Sequence, residues 1–130
     1  LKTEEHTFMT ISEAAENFES VGEVDVPHII TWADTERDLS AWLGNAMQGS
    51  SIRALYDLRD RIINTGDWDL IEDWRRLQTS DHFYYMCTKW FNDGDIHAYF
   101  SPYDTPYEAY INFMNAYRDL QTRIHQKEDV

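Results

Sequence analysis

The chain has 130 residues, with 24 acidic side chains against 11 lysines and arginines, giving a formal charge of −13. That length holds one domain and one sizeable hydrophobic core. The charge excludes nucleic acid and anionic membrane surfaces as partners, because both need a cationic footprint, whereas a neutral sugar is not repelled.

The opening Leu1-Lys2-Thr3-Glu4-Glu5-His6 is polar and acidic, unlike a signal peptide. With no methionine in first place, the chain reads as a piece of something longer or as a processed start. Thr10-Ile11-Ser12-Glu13 resembles a capping box that opens a short helix through Ala14, Ala15 and Phe18. Val21-Gly22-Glu23-Val24-Asp25-Val26-Pro27 then reads as extended, with Pro27 blocking a helix.

Asp34 is the expected cap of the next helix, with Glu36 and Asp38 in its first turn at the positive dipole end. Leu39, Trp42, Leu43 and Ala46 recur at helical spacing, and Gly44 and Gly49-Ser50-Ser51 weaken or interrupt it. Ser50 or Ser51 starts a second helix with Ile52, Leu55, Leu58 and Ile62 as its stripe and Gly66 as its stop. Asp67 caps a third helix, the longest, running to about Trp90 with Leu70, Trp74, Leu77, Asp81, Tyr84 and Thr88 along its buried line. An irregular stretch from Asn92 to Asp104 follows, in which Asp93-Gly94-Asp95 is a turn that lacks the further ligands of a calcium loop. The last helix has the strongest start signal, with Thr105 as cap, Pro106 at the first helical position and Glu108 completing a capping box. Tyr110, Met114, Tyr117 and Ile124 line one face of it, with Phe113 and Leu120 alongside. The pattern predicts an all-α fold: a helical bundle of three long helices plus shorter helices, with an irregular N-terminal segment.

No metal or cofactor is expected. The histidines are scattered, and no two sit at the i, i+4 spacing of a helical metal site. The single cysteine, Cys87, falls in an aromatic stretch and reads as a buried structural thiol in a reduced, cytoplasmic setting. Arg75-Arg76 reads as a solvated face paired with Glu72 or Asp73, while Arg118, Arg123 and Lys127 suit the negative end of the last helix.

Two features carry chemistry. Asp81 lies on the apolar stripe of the third helix, followed at once by His82, Phe83, Tyr84 and Tyr85. A carboxylate there has to be hydrogen-bonded, paired with a cation or turned to a water-filled cleft. A polar knot within the bundle core and a ligand cleft both satisfy that demand. The second feature is the cluster Trp32, Asp34, Arg37, Asp38, Trp42 and Asn45. Flat rings beside carboxylates and an amide suit a sugar, with the ring stacking and the polar groups fixing hydroxyls, although Trp42 at helical spacing also reads as core. Nothing marks two carboxylates as the pair that glycoside hydrolysis requires, so no catalytic residue is assigned.

Two stretches carry a resemblance. The segment from Trp32 through Asp34-Thr35-Glu36-Arg37-Asp38 to Trp42-Leu43-Gly44-Asn45 is similar to the junction of barrel and helical region in α-amylases of glycoside hydrolase family 57. Arg76-Leu77-Gln78-Thr79-Ser80-Asp81-His82-Phe83-Tyr84-Tyr85-Met86 resembles that family's last conserved region, and Asp95 to Tyr103 is similar as well. The resemblance implies a C-terminal helical region packed against a retaining (β/α)7 barrel in the same chain, acting on α-glucans or maltooligosaccharides. It implies substrate contacts at Asp81, His82 and Phe83, and secondarily at Trp32, Asp34 and Trp42. On this reading 1–30 is a linker segment with a short helix, the remnant of the junction to a missing barrel, and 31–130 is the helical bundle. The departures matter: the family's early His-Gln-Pro motif is absent, and no segment matches the regions holding the nucleophile or the acid. The chain alone is therefore expected to have no hydrolase activity. A stand-alone helical protein–protein interaction module is the alternative, and an independent carbohydrate-binding module is a third reading.

Overall fold

The computed structural model describes residues 7–89 and 99–128, and every regular element among them is a helix. In chain order these are α1 (Ile11–Asn17), α2 (Ser40–Leu43), α3 (Ala46–Asp57), α4 (Arg59–Thr65), α5 (Trp68–Leu77), α6 (Ser80–Tyr84) and α7 (Pro106–Glu128). The all-α bundle expected from the sequence is what is found. The Asp93-Gly94-Asp95 turn lies outside the described residues.

The 23-residue α7 is the spine. Pro106, Ala109, Phe113, Tyr117, Leu120 and Ile124 are its buried positions, recurring every three or four residues as one face of a helix must. That face packs against α3, α4 and α5. It meets Leu55, Leu58, Ile62, Leu70, Trp74, Phe83 and Met86 in one continuous core. The stripe is rotated from the one read off the sequence: Phe113 and Leu120 are central, while Tyr110 and Met114 are flanks. The start signal holds in part, because the Glu108 N–H donates to Thr105 Oγ1 at 3.1 Å but the Glu108 carboxylate accepts from Asp104 N–H rather than from Thr105.

Local signals explain most other boundaries. Thr10 and Glu13 form the expected capping box of α1. Gly66 ends α4 in the left-handed conformation, with φ of 63°, which costs glycine least. Asp67 then caps α5 by accepting from the N–H groups of Asp69 and Leu70.

Four expectations are corrected. No helix starts at Asp34; the chain turns there instead, with Asp34 and Arg37 both at positive φ. The helix expected from Ser50 or Ser51 begins at Ala46, because Asn45 and Gln48 cap each other's N–H groups. The long third helix is two helices: at Gln78 and Thr79 the backbone N–H groups close back three residues, and the Thr79 hydroxyl donates to the Arg76 carbonyl at 2.8 Å. The break resets the helical phase, so Asp81 and Thr88 are exposed rather than on a buried line.

A polar hub binds the short helices together. Gln48 is fully buried, and its amide nitrogen donates to the Ala41 carbonyl at 2.8 Å and the Phe83 carbonyl at 2.9 Å. Asn45 adds a bond to the Met86 carbonyl at 2.8 Å. Buried amides are stable only when satisfied in this way, so α2, α3 and α6 hold a fixed relation. Residues 7–30, by contrast, bury none of their side chains.

Candidate functional site

The fixed relation of α2 and α6 creates an aromatic cleft. Trp42 of α2 lies with its ring centre 5.6 Å from Tyr84 of α6, and Trp32, in the segment before α2, meets Trp42 edge-on at 6.4 Å. Together with Ser80, Asp81, Tyr85 and Phe100, these rings line a cavity of about 460 Å³. Tyr85 is braced from outside by Tyr103 at 6.1 Å.

Helical geometry decides which neighbours of Asp81 join it. Successive residues turn by about 100° around a helix, so positions 81, 84 and 85 share a face while 82 and 83 are carried away. His82 sits against Phe113 at 5.9 Å, in a crevice with Asp73, Arg76 and Arg123. Phe83 is buried against Phe113 at 5.5 Å and lines a second cleft. Asp81, His82 and Phe83 therefore do not face one cavity.

Asp34 is placed differently again. Its side chain is 0% exposed, and its carboxylate lies 3.2 Å from the Lys89 ammonium, which also reaches Glu36 at 3.1 Å and the Ser40 hydroxyl. Burial works to raise the Asp34 carboxyl, but hydrogen bonds with Lys89 and Glu36 and the Lys89 charge outweigh it and hold it below its ordinary value. Burial likewise works against the Lys89 charge and is outweighed by Glu36 and Asp34, so the ammonium is held above its ordinary value. Asp34 is a structural anchor for the turn before α2. Lys89 carries no local signal because its partner is 55 residues away, whereas the spacing of Asn45 and Gln48 is a local capping-box signal that the reading of a helix from Ser50 or Ser51 passes over.

Of the sequence-derived candidates, the structure brings Trp32, Trp42 and Asp81 to one cavity, and Ser80, Tyr84, Tyr85 and Phe100 complete its wall. Asp81 is exposed and its carboxylate makes no hydrogen bond or ion pair among the described residues, so its side-chain oxygens are open acceptors. A second cleft of about 440 Å³, lined by Ile30, Leu39, Leu43, Ile52 and Phe83, shares Trp32, Trp42 and Ser80 with the first and is more apolar. An aromatic-walled groove with one carboxylate and a few hydroxyls can stack a flat, uncharged ligand and accept hydrogen bonds from it. The described residues contain no cluster of three or more histidine, cysteine or acidic side chains arranged for a metal ion. Cys87 is buried, and no described helix is long and apolar enough to cross a membrane.

No protein-family model matches the chain, and no solved structure gives a significant match. One curated relative does. Over 96% of its length the chain is 38% identical to a Methanocaldococcus jannaschii protein named "Putative alpha-amylase", of which it spans 29%.

Proposed function

We propose that this chain is the C-terminal helical portion of an α-amylase-type glycoside hydrolase of family 57, supplying one wall of an α-glucan cleft without the catalytic carboxylate pair. The observation that carries the reading is the convergence of Trp32, Trp42 and Asp81 on one cavity. The 38% identity to a stretch that makes up 29% of an amylase-named relative supports the placement within a larger enzyme. Trp32 and Trp42 stack sugar rings, and Asp81 accepts from sugar hydroxyls. His82, Phe83 and Asp34 support the cleft from behind. A retaining glycosidase needs two carboxyl groups about 5–5.5 Å apart across the scissile bond, and Asp81 is the one carboxylate among the described residues that line this cavity. The catalytic pair belongs to a barrel elsewhere in the full protein. The reading also takes the protein as cytoplasmic, which the buried Cys87 thiol supports.

The test pairs binding with turnover. Affinity electrophoresis through soluble starch should retard the purified chain, and W32A and D81A should each sharply reduce the retardation. Starch hydrolysis by the chain should not exceed that of D81A. Unretarded migration, or retardation indifferent to both substitutions, would overturn the reading.

A protein-interaction role is favoured by a separate observation: Phe8, Ile11, Phe18, Val21 and Val24 are all strongly exposed. On the leading reading the barrel covers them; on the second a different protein does. Mixing the chain with a separately expressed family 57 barrel distinguishes the two, since only the leading reading predicts a complex.

A further inference from the structure

Trp32 is 77% exposed, and its edge-on contact with Trp42 is the one ring contact that fixes it among the described residues. A side chain so thinly packed takes its position from the backbone beneath it. Three anchors flank that backbone. Thr31 closes the turn at its base, with its N–H donating to the Arg37 carbonyl at 2.8 Å and its hydroxyl to the Asp38 carbonyl at 2.7 Å. Ala33 is buried against Ala41 and Tyr84. Beyond it, Asp34 receives the Glu36 N–H at 3.1 Å and the Lys89 ammonium at 3.2 Å.

The third anchor holds a strained turn. The turn carries two non-glycine residues at positive φ, 51° at Asp34 and 57° at Arg37, a conformation the free chain resists. The Arg37 guanidinium uses that conformation to donate to the Trp32 carbonyl at 2.7 Å. A buried carboxylate at Asp34 without its cation would tend to leave for water, unwinding the turn and releasing both contacts.

We infer that Lys89 is a positioning residue for the sugar cleft: by binding Asp34, Glu36 and Ser40 it locks the 31–38 turn and thereby fixes Trp32 at the cleft mouth. Lys89 lines neither cavity beside Trp32, so it acts on a ligand only through the turn. The inference rests on the proposed sugar-binding reading for its consequence, but not for its geometry.

The experiment uses K89M, K89R and the double variant D34N/K89M, with the Trp32 indole N–H followed by NMR and maltoheptaose affinity measured by titration. K89M should displace or broaden the Trp32 resonance while that of buried Trp74 stays in place, and should weaken binding roughly tenfold through lost preorganisation. K89R should restore both, because it returns the cation. Should K89M fail to fold, the double variant decides, since it removes the buried charge together with the lock and is expected to show the same displaced Trp32. An unmoved Trp32 resonance in K89M or the double variant overturns the inference. If wild-type protein binds no maltoheptaose, the functional reading fails, while the indole resonance still decides the role of Lys89.

Discussion

Trp32 and Trp42 meet edge to face with ring centres 6.4 Å apart, yet they are held by different means. Trp42 is half-buried and packs into both core clusters, whereas Trp32 stands in solvent on a locked turn. One ring is fixed by packing and the other by its backbone, and the cleft between α2 and α6 depends on both.

The two indoles should therefore respond oppositely to truncation. W32A should leave stability within about 0.5 kcal/mol of wild type, as surface substitutions usually do, while weakening maltoheptaose binding roughly tenfold, or about 1.4 kcal/mol. W42A should cost about 3 kcal/mol in urea denaturation because it empties packed space. Equal stability losses for both variants would contradict the division.

Gln48 is the polar hub, and Q48L tests it. The substitution keeps bulk but leaves the Ala41 and Phe83 carbonyls without the donors they receive at 2.8 and 2.9 Å. The Phe83 carbonyl keeps the Met86 N–H at 3.1 Å, but the Ala41 carbonyl loses its Gln48 donor and the Asn45 N–H its Gln48 acceptor, a loss of about 2–3 kcal/mol, measurable by urea denaturation. A neutral Q48L would show that α2, α3 and α6 are joined by apolar packing alone.

Three glycines should rank by their surroundings. A methyl group at Gly44 would lie 2.3 Å from the Ser40 carbonyl oxygen, so G44A should be the most destabilising. G66A meets open space but keeps φ at 63°, costing about 1 kcal/mol. Gly49 lies inside α3 with open space around it, so G49A should stabilise by about 0.5–1 kcal/mol. Thermal melts of the three variants check the order, and a stabilising G44A would contradict it.

The lock has a pH signature. Asp34 is held below its ordinary 3.8, so its contribution is complete above that value and is lost as the pH falls through the depressed one. Asp67, hydrogen-bonded to Lys127, and Glu128, hydrogen-bonded to Arg61, are depressed in the same direction and steepen the acid edge. Lys89 is held above its ordinary 10.5, so its share is present below that value and disappears only as the pH rises through the raised one. The melting temperature should be level between about pH 5 and 9 and fall below about pH 4, with a shallower acid fall in D34N/K89M. A steep loss between pH 7 and 5 would contradict this assignment.

Legibility in the sequence followed the range of the interactions. The caps at Thr10 and Asp67 and the Gly66 stop are settled within three or four residues, and each was readable. The break between α5 and α6 was also local, since Thr79-Ser80-Asp81 is a run that favours helix starts, but the helical spacing of Leu70, Trp74, Leu77 and Tyr84 masked it. That error made Asp81 look buried. Its grouping with Trp32 and Trp42 in one cavity depends on how α2 packs against α6, which Gln48 and Asn45 fix through long-range bonds. Lys89 carried no local signal, and only the folded chain brings it to Asp34.

The most direct test of the central claim is titration of the isotope-labelled chain with maltoheptaose, following indole and backbone N–H resonances. The account predicts saturable shifts at Trp32, Trp42, Asp81 and Tyr85, with a dissociation constant near 1 mM, about −4 kcal/mol, and little movement at His82. No shift at tens of millimolar, or shifts confined to His82 and its crevice, would contradict it.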